Sequence, residues 1–250
     1  MFGTAGAILG LAKLRKIAAY PEVEDKMVEM AESLLERRQR TKSGALVVPT
    51  YDGRAITGLS HGISGIALAL ARVYEATKED RFRKAASEHV DFEESLYDHV
   101  RGVYPDYRSR EGMTAYMTNW CHGAPGIGLA RMVIHDITQD CSLVRQIRKN
   151  MEATARFSLD NLDHLCCGNL GRLDIQLEYA LRMENSLLDS VQRDAAFVVQ
   201  RYCANNNFRL FVDTPSKVFC PGLFSGAAAI GYALLRLSSP GTLPCVLAFE

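Results

Sequence analysis

Four short turns in the chain carry residue types able to bind a metal or move a proton. They are Ser60-His61 before Gly62, Trp120-Cys121-His122 before Gly123, Cys166-Cys167 before Gly168, and Cys220-Pro221 before Gly222. Three thiolates form the soft ligand set that zinc prefers, and three protein ligands leave the fourth tetrahedral position for water or a substrate atom. Adjacent cysteines on a glycine turn, matched by a third on a similar turn, are uncommon as core packing. Cys121, Cys166 and Cys167 are therefore expected to hold zinc, in an open and hence catalytic arrangement. Cys141, Cys203 and Cys245 fit the behaviour of small packed hydrophobes, and Cys220, near the same rim, stays open. His61 suits either a hydrogen-bonded core position or an acid/base role. His122 and His164 flank the ligands, as groups that orient a thiolate or as rim residues. Trp120, the single tryptophan, is expected to pack the turn rather than a substrate.

These turns belong to a repeat. A Gly-x-x-Gly pair followed by an apolar stretch occurs at Gly3–Gly6, Gly62–Gly65, Gly123–Gly126 and Gly168–Gly171, and a weaker copy has Gly226 with Ala229. Start-to-start spacings of 59, 61, 45 and 58 residues leave room for two helices and their loops, so each unit is expected to be a helical hairpin. The helix after each glycine pair, as in IALALARVY, is apolar nearly all round and belongs between neighbours. The second helix is amphipathic. In EVEDKMVEMAESLLERRQR, Val23, Met27, Met30, Leu34 and Leu35 share one face. The same alternation recurs around 82–96, 144–157 and 188–202. Concentric helix layers with little sheet follow, an all-α α/α toroid whose centre gathers side chains far apart in sequence.

Composition removes several functions. Lys plus Arg and Asp plus Glu stand at 29 each, so no net field recruits nucleic acid or an anionic membrane. The longest apolar run, from Leu223 to Leu235, is too short to span a bilayer, and the N-terminus lacks a signal-peptide pattern. Seven cysteines, two of them adjacent, fit reduced thiols serving a metal in the cytoplasm better than a disulfide framework. The basic run Arg37, Arg38, Arg40 and Lys42 is expected to be a solvated helix end. The polar stretch 98–119, with Tyr104, Tyr107, Arg108 and Arg110, suits a surface loop or the border of a peptide groove.

Taken together, SHGISGIALAL, WCHGAPGIGLAR, HLCCGNLGR and PGLFSGAAAIGYALLRL, with LPCVLAFE at the end, resemble the cyclase (LanC-like) domain of class II lanthipeptide synthetases of the LanM type. The match runs over almost the whole chain, and the Trp-Cys-His-Gly and Cys-Cys-Gly turns are its most specific parts. The resemblance implies zinc ligation by Cys121, Cys166 and Cys167, an acid/base role for His61 with His122 as second choice, and a toroid of seven hairpins around the metal. The implied reaction adds a cysteine thiol of a dehydrated precursor peptide to dehydroalanine or dehydrobutyrine, closing a thioether ring.

Against that pattern, residues 1–250 are expected to be a partial cyclase domain with about five of the seven hairpins. The dehydratase domain is expected to be absent and its work left to a separate protein. The family's acidic support for the active-site histidine precedes this region, and Met117 stands where related cyclases carry an arginine. The alternative is a truncated, noncatalytic zinc- or peptide-binding relic. A glycoside hydrolase on the same toroid would need two facing carboxylates, which no glycine turn presents, and a zinc prenyltransferase would need aspartate-rich ligands and more aromatics.

Overall fold

In the computed structural model, residues 3–18, 20–108, 115–205, 207–211 and 219–250 are described. The chain folds as helical hairpins: α1 (Thr4–Ile17) with α2 (Pro21–Glu36), α3 (Ile63–Thr77) with α4 (Asp80–Ser95), α5 (Ala124–Thr138) with α6 (Ser142–Ala155), and α7 (Asn169–Arg182) with α8 (Leu188–Asn205). A last helix, α9 (Ala227–Ser238), is followed by a single 3-10 turn at Val246–Ala248. Among the described residues sheet is limited to two antiparallel ribbons, β1 (Gln39–Arg40) with β2 (Leu46–Val47) and β3 (Pro105–Asp106) with β4 (Ala115–Tyr116).

The odd-numbered helices form the inner layer, α1 packing on α3, α3 on α5, α5 on α7 and α7 on α9. Every residue of Ile63–Val73 in α3 and of Ala124–Ile134 in α5 is buried, as an inner helix requires. The outer helices bury one stripe each, Val23, Met27, Ala31 and Leu34 in α2 and Phe82, Ala85, Ala86, His89, Val90 and Glu93 in α4. Met30 and Leu35, expected on the buried face of α2, sit at its margin, partly buried against the core. The fold is the α/α toroid read from the sequence.

The repeated glycines have a mechanical reason. The first of each pair is the residue just before an inner helix, and the second lies in its first turn. Before α3, α5, α7 and α9 the incoming chain passes directly beneath that turn. A β-carbon at Gly126 would stand 1.9 Å from the Trp120 carbonyl oxygen, and one at Gly171 would stand 1.8 Å from that of Leu165, so only glycine fits. The doubled-back chain also supplies an acceptor for an amide that a helix start otherwise leaves unpaired. Ile63 N–H donates to Ile56 O at 2.9 Å, Asn169 to Leu162 at 2.6 Å and Ala227 to Cys220 at 2.8 Å, each reaching seven residues back.

Two expectations need correction. Among the described residues the fifth unit is α9 without an outer helix, because SPGTLP after Ser238 carries two prolines and a glycine where a helix would start. The end helices α1 and α9 are also not buried all round: Ile17 is 72% and Leu235 59% exposed, α1 packing in the inner layer on α3 and α9 on α7. The chain end ties the ring together. Trp120 Nε1 donates to Leu247 O at 3.0 Å, and the Glu250 carboxylate pairs with Arg72 of α3 at 3.1 Å and with Arg182 of α7.

Candidate metal centre

The turns that precede the inner helices interlock through their backbones. Ser60 N–H of the α3 turn donates to Cys121 O of the α5 turn at 3.1 Å. The Asn119 carboxamide, oriented with its nitrogen toward the α7 turn, donates to Cys167 O at 2.9 Å. Cys166 N–H of that turn donates to Phe224 O of the α9 turn at 2.9 Å. This chain of bonds across four turns brings together side chains that the sequence separates by up to 106 positions, from His61 to Cys167.

At its centre Cys121 Sγ lies 3.3 Å from Cys167 Sγ, which lies 3.2 Å from Cys166 Sγ, and all three fall within 4.8 Å of one another. Three sulfurs at Zn–S bond lengths around a tetrahedral ion are ~3.8 Å apart. The two sulfur pairs at 3.3 and 3.2 Å meet that spacing by opening about half an ångström, and the third lies within 4.8 Å, so the residues present fit a zinc ion. Its electrostatics agree. Hydrogen bonds from Cys121 and Cys167 hold the Cys166 thiol down to about 3. Cys121 is raised by its hydrogen bond to Cys166, and Cys167 is raised strongly by those to Cys121 and Cys166. One thiolate forms readily, whereas a second and third need a cation to offset their repulsion.

Two imidazoles stand on the adjoining turns, His122 next to Cys121 in the chain and His61 on the α3 turn. His61 and His122 stack with ring centroids 5.2 Å apart and planes inclined by 14°. Burial lowers both, His122 to about 4, and the charge of Cys121 acts on each in the opposite sense. His122 is 1% exposed, and neither of its ring nitrogens finds a hydrogen-bond partner among the described residues. Such a group costs about 1–3 kcal/mol unless a ligand or water satisfies it. His61 instead opens on a cleft of about 540 Å³ lined by Leu34, Val48, Leu59 and Ile66 from below and by Arg37 and Tyr51 at the side.

The other residues singled out in the sequence lie both around this centre and away from it. His164 acts through the backbone, its Nδ1 accepting the Cys167 N–H at 3.2 Å. Trp120 packs the turn, stacked on Phe224 at 5.1 Å. Cys220 is on the equivalent turn but outside the thiol cluster. Of the other cysteines only Cys245 is buried, and Cys141 and Cys203 are exposed, so packing does not explain those two. The stretch 98–119 is not a plain surface loop. Tyr104 is 1% exposed and donates its hydroxyl to Glu94 at 2.7 Å, and Asp106 is 5% exposed. Arg110 lies outside the described residues.

Sequence reasoning missed the supports. Glu93 is fully buried, accepts the Gly58 N–H at 2.8 Å and pairs with the equally buried Arg131 at 2.8 Å. A β-carbon at Gly58 would stand 2.9 Å from both Cys121 O and His122 Nδ1. Glu93 therefore holds the piece of backbone on which the site rests. The signal was present, since Glu93 follows Phe82, Ala86 and His89 on the apolar stripe of α4. Asp106 was missed as well, and nothing in its local pattern marks it.

A ring of inner and outer helices with three thiols and two imidazoles at the mouths of its glycine turns defines a class of protein. The chain belongs to the family described as lanthionine synthetase C-like protein, which it matches over residues 1–248. Among curated proteins it is similar to the lacticin 481/lactococcin biosynthesis protein LcnDR2 of Lactococcus lactis subsp. lactis, at 26% identity over 94% of this chain. It spans only about a quarter of that relative, 24% of its length. Among solved structures it resembles nisin cyclase, with a TM-score of 0.69 and 15% identity over 96% of this chain and 64% of that one. A GH76 α-mannanase of Bacteroides thetaiotaomicron matches with a TM-score of 0.63 and 14% identity over 98% of this chain and 71% of that one. These two likenesses show the fold alone.

Proposed function

We propose that this chain is a zinc-dependent lanthipeptide cyclase that adds cysteine thiols of a dehydrated precursor peptide to dehydroalanine or dehydrobutyrine, forming (methyl)lanthionine rings. The observation that carries this reading is the cluster of Cys121, Cys166 and Cys167, their sulfurs within 4.8 Å, with two stacked imidazoles, His61 and His122, on the adjoining turns. The three cysteines would hold the ion. Bound there, zinc supplies an open Lewis-acid position at which an incoming thiol has a lowered pKa.

The rest falls to side chains. His61 and His122, lowered by burial, are neutral near pH 7 and able to accept a proton. His61, reached from the cleft, is the acid/base: it takes the thiol proton and, after the sulfur has bonded to the β-carbon, returns a proton to the α-carbon. His122, stacked behind it, is the second candidate. The apolar floor of Leu34, Val48, Leu59 and Ile66 holds an apolar stretch of the peptide, and that proximity favours one ring over another. A separate dehydratase would prepare the peptide, and both would act in the cytoplasm. No helix among the described residues is long and apolar enough to cross a membrane.

The test is to incubate the zinc-containing chain with a dehydrated, cysteine-containing precursor peptide and follow alkylatable thiol by mass spectrometry. Loss of free thiol with no change in peptide mass is the expected result. Retention of thiol by folded, zinc-containing protein would leave the noncatalytic relic as the better reading.

A further inference from the structure

Adding a thiolate to a dehydroamino acid moves an electron pair from the carbon–carbon double bond onto the carbonyl oxygen. The reaction thus needs a cation or strong donor at that oxygen, a task neither histidine performs while it handles the proton. The loop after β3 places one group suited to it. Arg108 lies two residues after β3, between the paired strands β3 and β4, and Thr57 Oγ1 pins that ribbon to the His61 turn by donating to Pro105 O at 2.7 Å. Arg108 Nη2 reaches Met117 Sδ at 3.2 Å, four residues before Cys121 on the same turn.

The guanidinium is held from one side. Nε and Nη2 donate to the two oxygens of buried Asp106 at 3.0 and 2.7 Å, and the Arg108 N–H also donates to Asp106 at 3.0 Å. That fork fixes the plane of the group. Nη1 has no acceptor among the described residues, and 28% of the side chain remains exposed. The group is thus anchored on Asp106, between the ribbon that Thr57 pins to the His61 turn and the Met117 side chain ahead of Cys121.

We propose that Arg108, aimed by Asp106, binds the carbonyl oxygen of the dehydroamino acid and carries the enolate charge during thiol addition. The bond formed is sulfur to β-carbon, and the bond broken is the π bond. The electron pair rests on the oxygen beside Arg108 until the α-carbon takes the proton that left the thiol, and nothing is oxidised or reduced. Arg108 is then a catalytic residue and Asp106 a positioning residue. The inference rests on the cyclase reading above.

Two measurements separate them. The first is binding of a dehydroalanine peptide that lacks cysteine, by calorimetry, to the wild-type chain and to Arg108→Gln; it needs no turnover. The second is cyclisation of the full substrate, with zinc content and Tm measured alongside. Arg108→Gln is expected to weaken the peptide by about tenfold, to lower kcat by about 10²–10³-fold, and to keep its zinc. Asp106→Asn is expected to lower kcat less, and the double variant no more than Arg108→Gln alone. A wild-type chain that cyclises alongside an Arg108→Gln variant within threefold in kcat and in peptide affinity would overturn this assignment and leave the cyclase reading intact. A wild-type chain that neither binds nor cyclises the peptides would overturn both.

Discussion

Glu93 and Arg131 meet at 2.8 Å with no exposed side-chain surface on either, one helix layer behind the thiol cluster. Arg131 Nε also donates to Gln146 at 2.7 Å, and Glu93 accepts from Ser64 as well as from Gly58. Removing one member of such a pair leaves the other charge buried and uncompensated, which costs about 3–5 kcal/mol. Arg131→Met is expected to lose that much in urea unfolding, whereas Arg131→Met combined with Glu93→Leu is expected to lose clearly less than the sum of the single changes. A single-variant loss below about 1 kcal/mol would show that the pair is not desolvated as described.

The glycine turns predict opposite signs for one chemical change. Gly126→Ala and Gly171→Ala force a methyl to within 2 Å of a backbone carbonyl, and something must shift in the turn beneath. Each is expected to destabilise by about 2–4 kcal/mol, by strain in a packed turn. Gly231 lies inside α9 with open space where its β-carbon would go. Gly231→Ala is expected to stabilise by about 0.5–1 kcal/mol through the lower backbone entropy of the unfolded chain. Thermal melts of the three variants check both signs.

The helical array was legible because its signals are local. Glycine pairs at helix entries, apolar inner helices and striped outer ones each lie within one stretch of chain. The thiols were legible because they sit on those same turns. What closes the site was not. Arg108 drew notice only as part of a surface loop or groove border and Asp106 drew none, because the contacts of this segment, Arg108 with Met117 and Pro105 with Thr57, depend on a ribbon of two-residue strands. Asn119 and Ser60 act across turns through a carboxamide and a backbone N–H, and no residue type or spacing announces such a bond. The half-exposure of α1 and α9 depends on which neighbours the ends of the array have, which the composition of a single helix does not encode.

The boundary of the cluster makes a metal-binding prediction. Cys220 lies on a turn equivalent to those of Cys121 and Cys166 but is not one of the three converging sulfurs. Zinc at a free concentration 100-fold above its Kd stabilises a folded state that alone binds it by about 2.7 kcal/mol, visible as a rise in Tm. Cys121→Ala and the paired change Cys166→Ala with Cys167→Ala are expected to abolish both the rise and the bound metal. Cys220→Ala is expected to keep about one zinc per chain. Loss of zinc from the Cys220 variant would place that thiol among the ligands and redraw the site.

His89 predicts how the fold responds to acid. It is fully buried, its Nδ1 hydrogen-bonded to Ala85 O at 2.7 Å and its Nε2 accepting the Val48 N–H at 3.0 Å. Both bonds are made by the neutral ring with its proton on Nδ1, and protonating Nε2 would break the second. Burial accordingly depresses His89 to about 4. As pH falls below about 6.5, the unfolded chain takes up a proton at this position while the folded chain does not, so stability drops with falling pH. The contribution is fully present above about 6.5 and is lost progressively down to about 4, a span worth about 3 kcal/mol. Other groups titrate in the same window, so the measurement is a difference: urea midpoints from pH 4 to 7 for the wild-type chain and for His89→Gln, whose side-chain oxygen can accept from Val48 but which takes up no proton. The wild-type curve is expected to fall more steeply toward acid than that of the variant, and parallel curves would mean that His89 takes up its proton equally in the folded and unfolded chain.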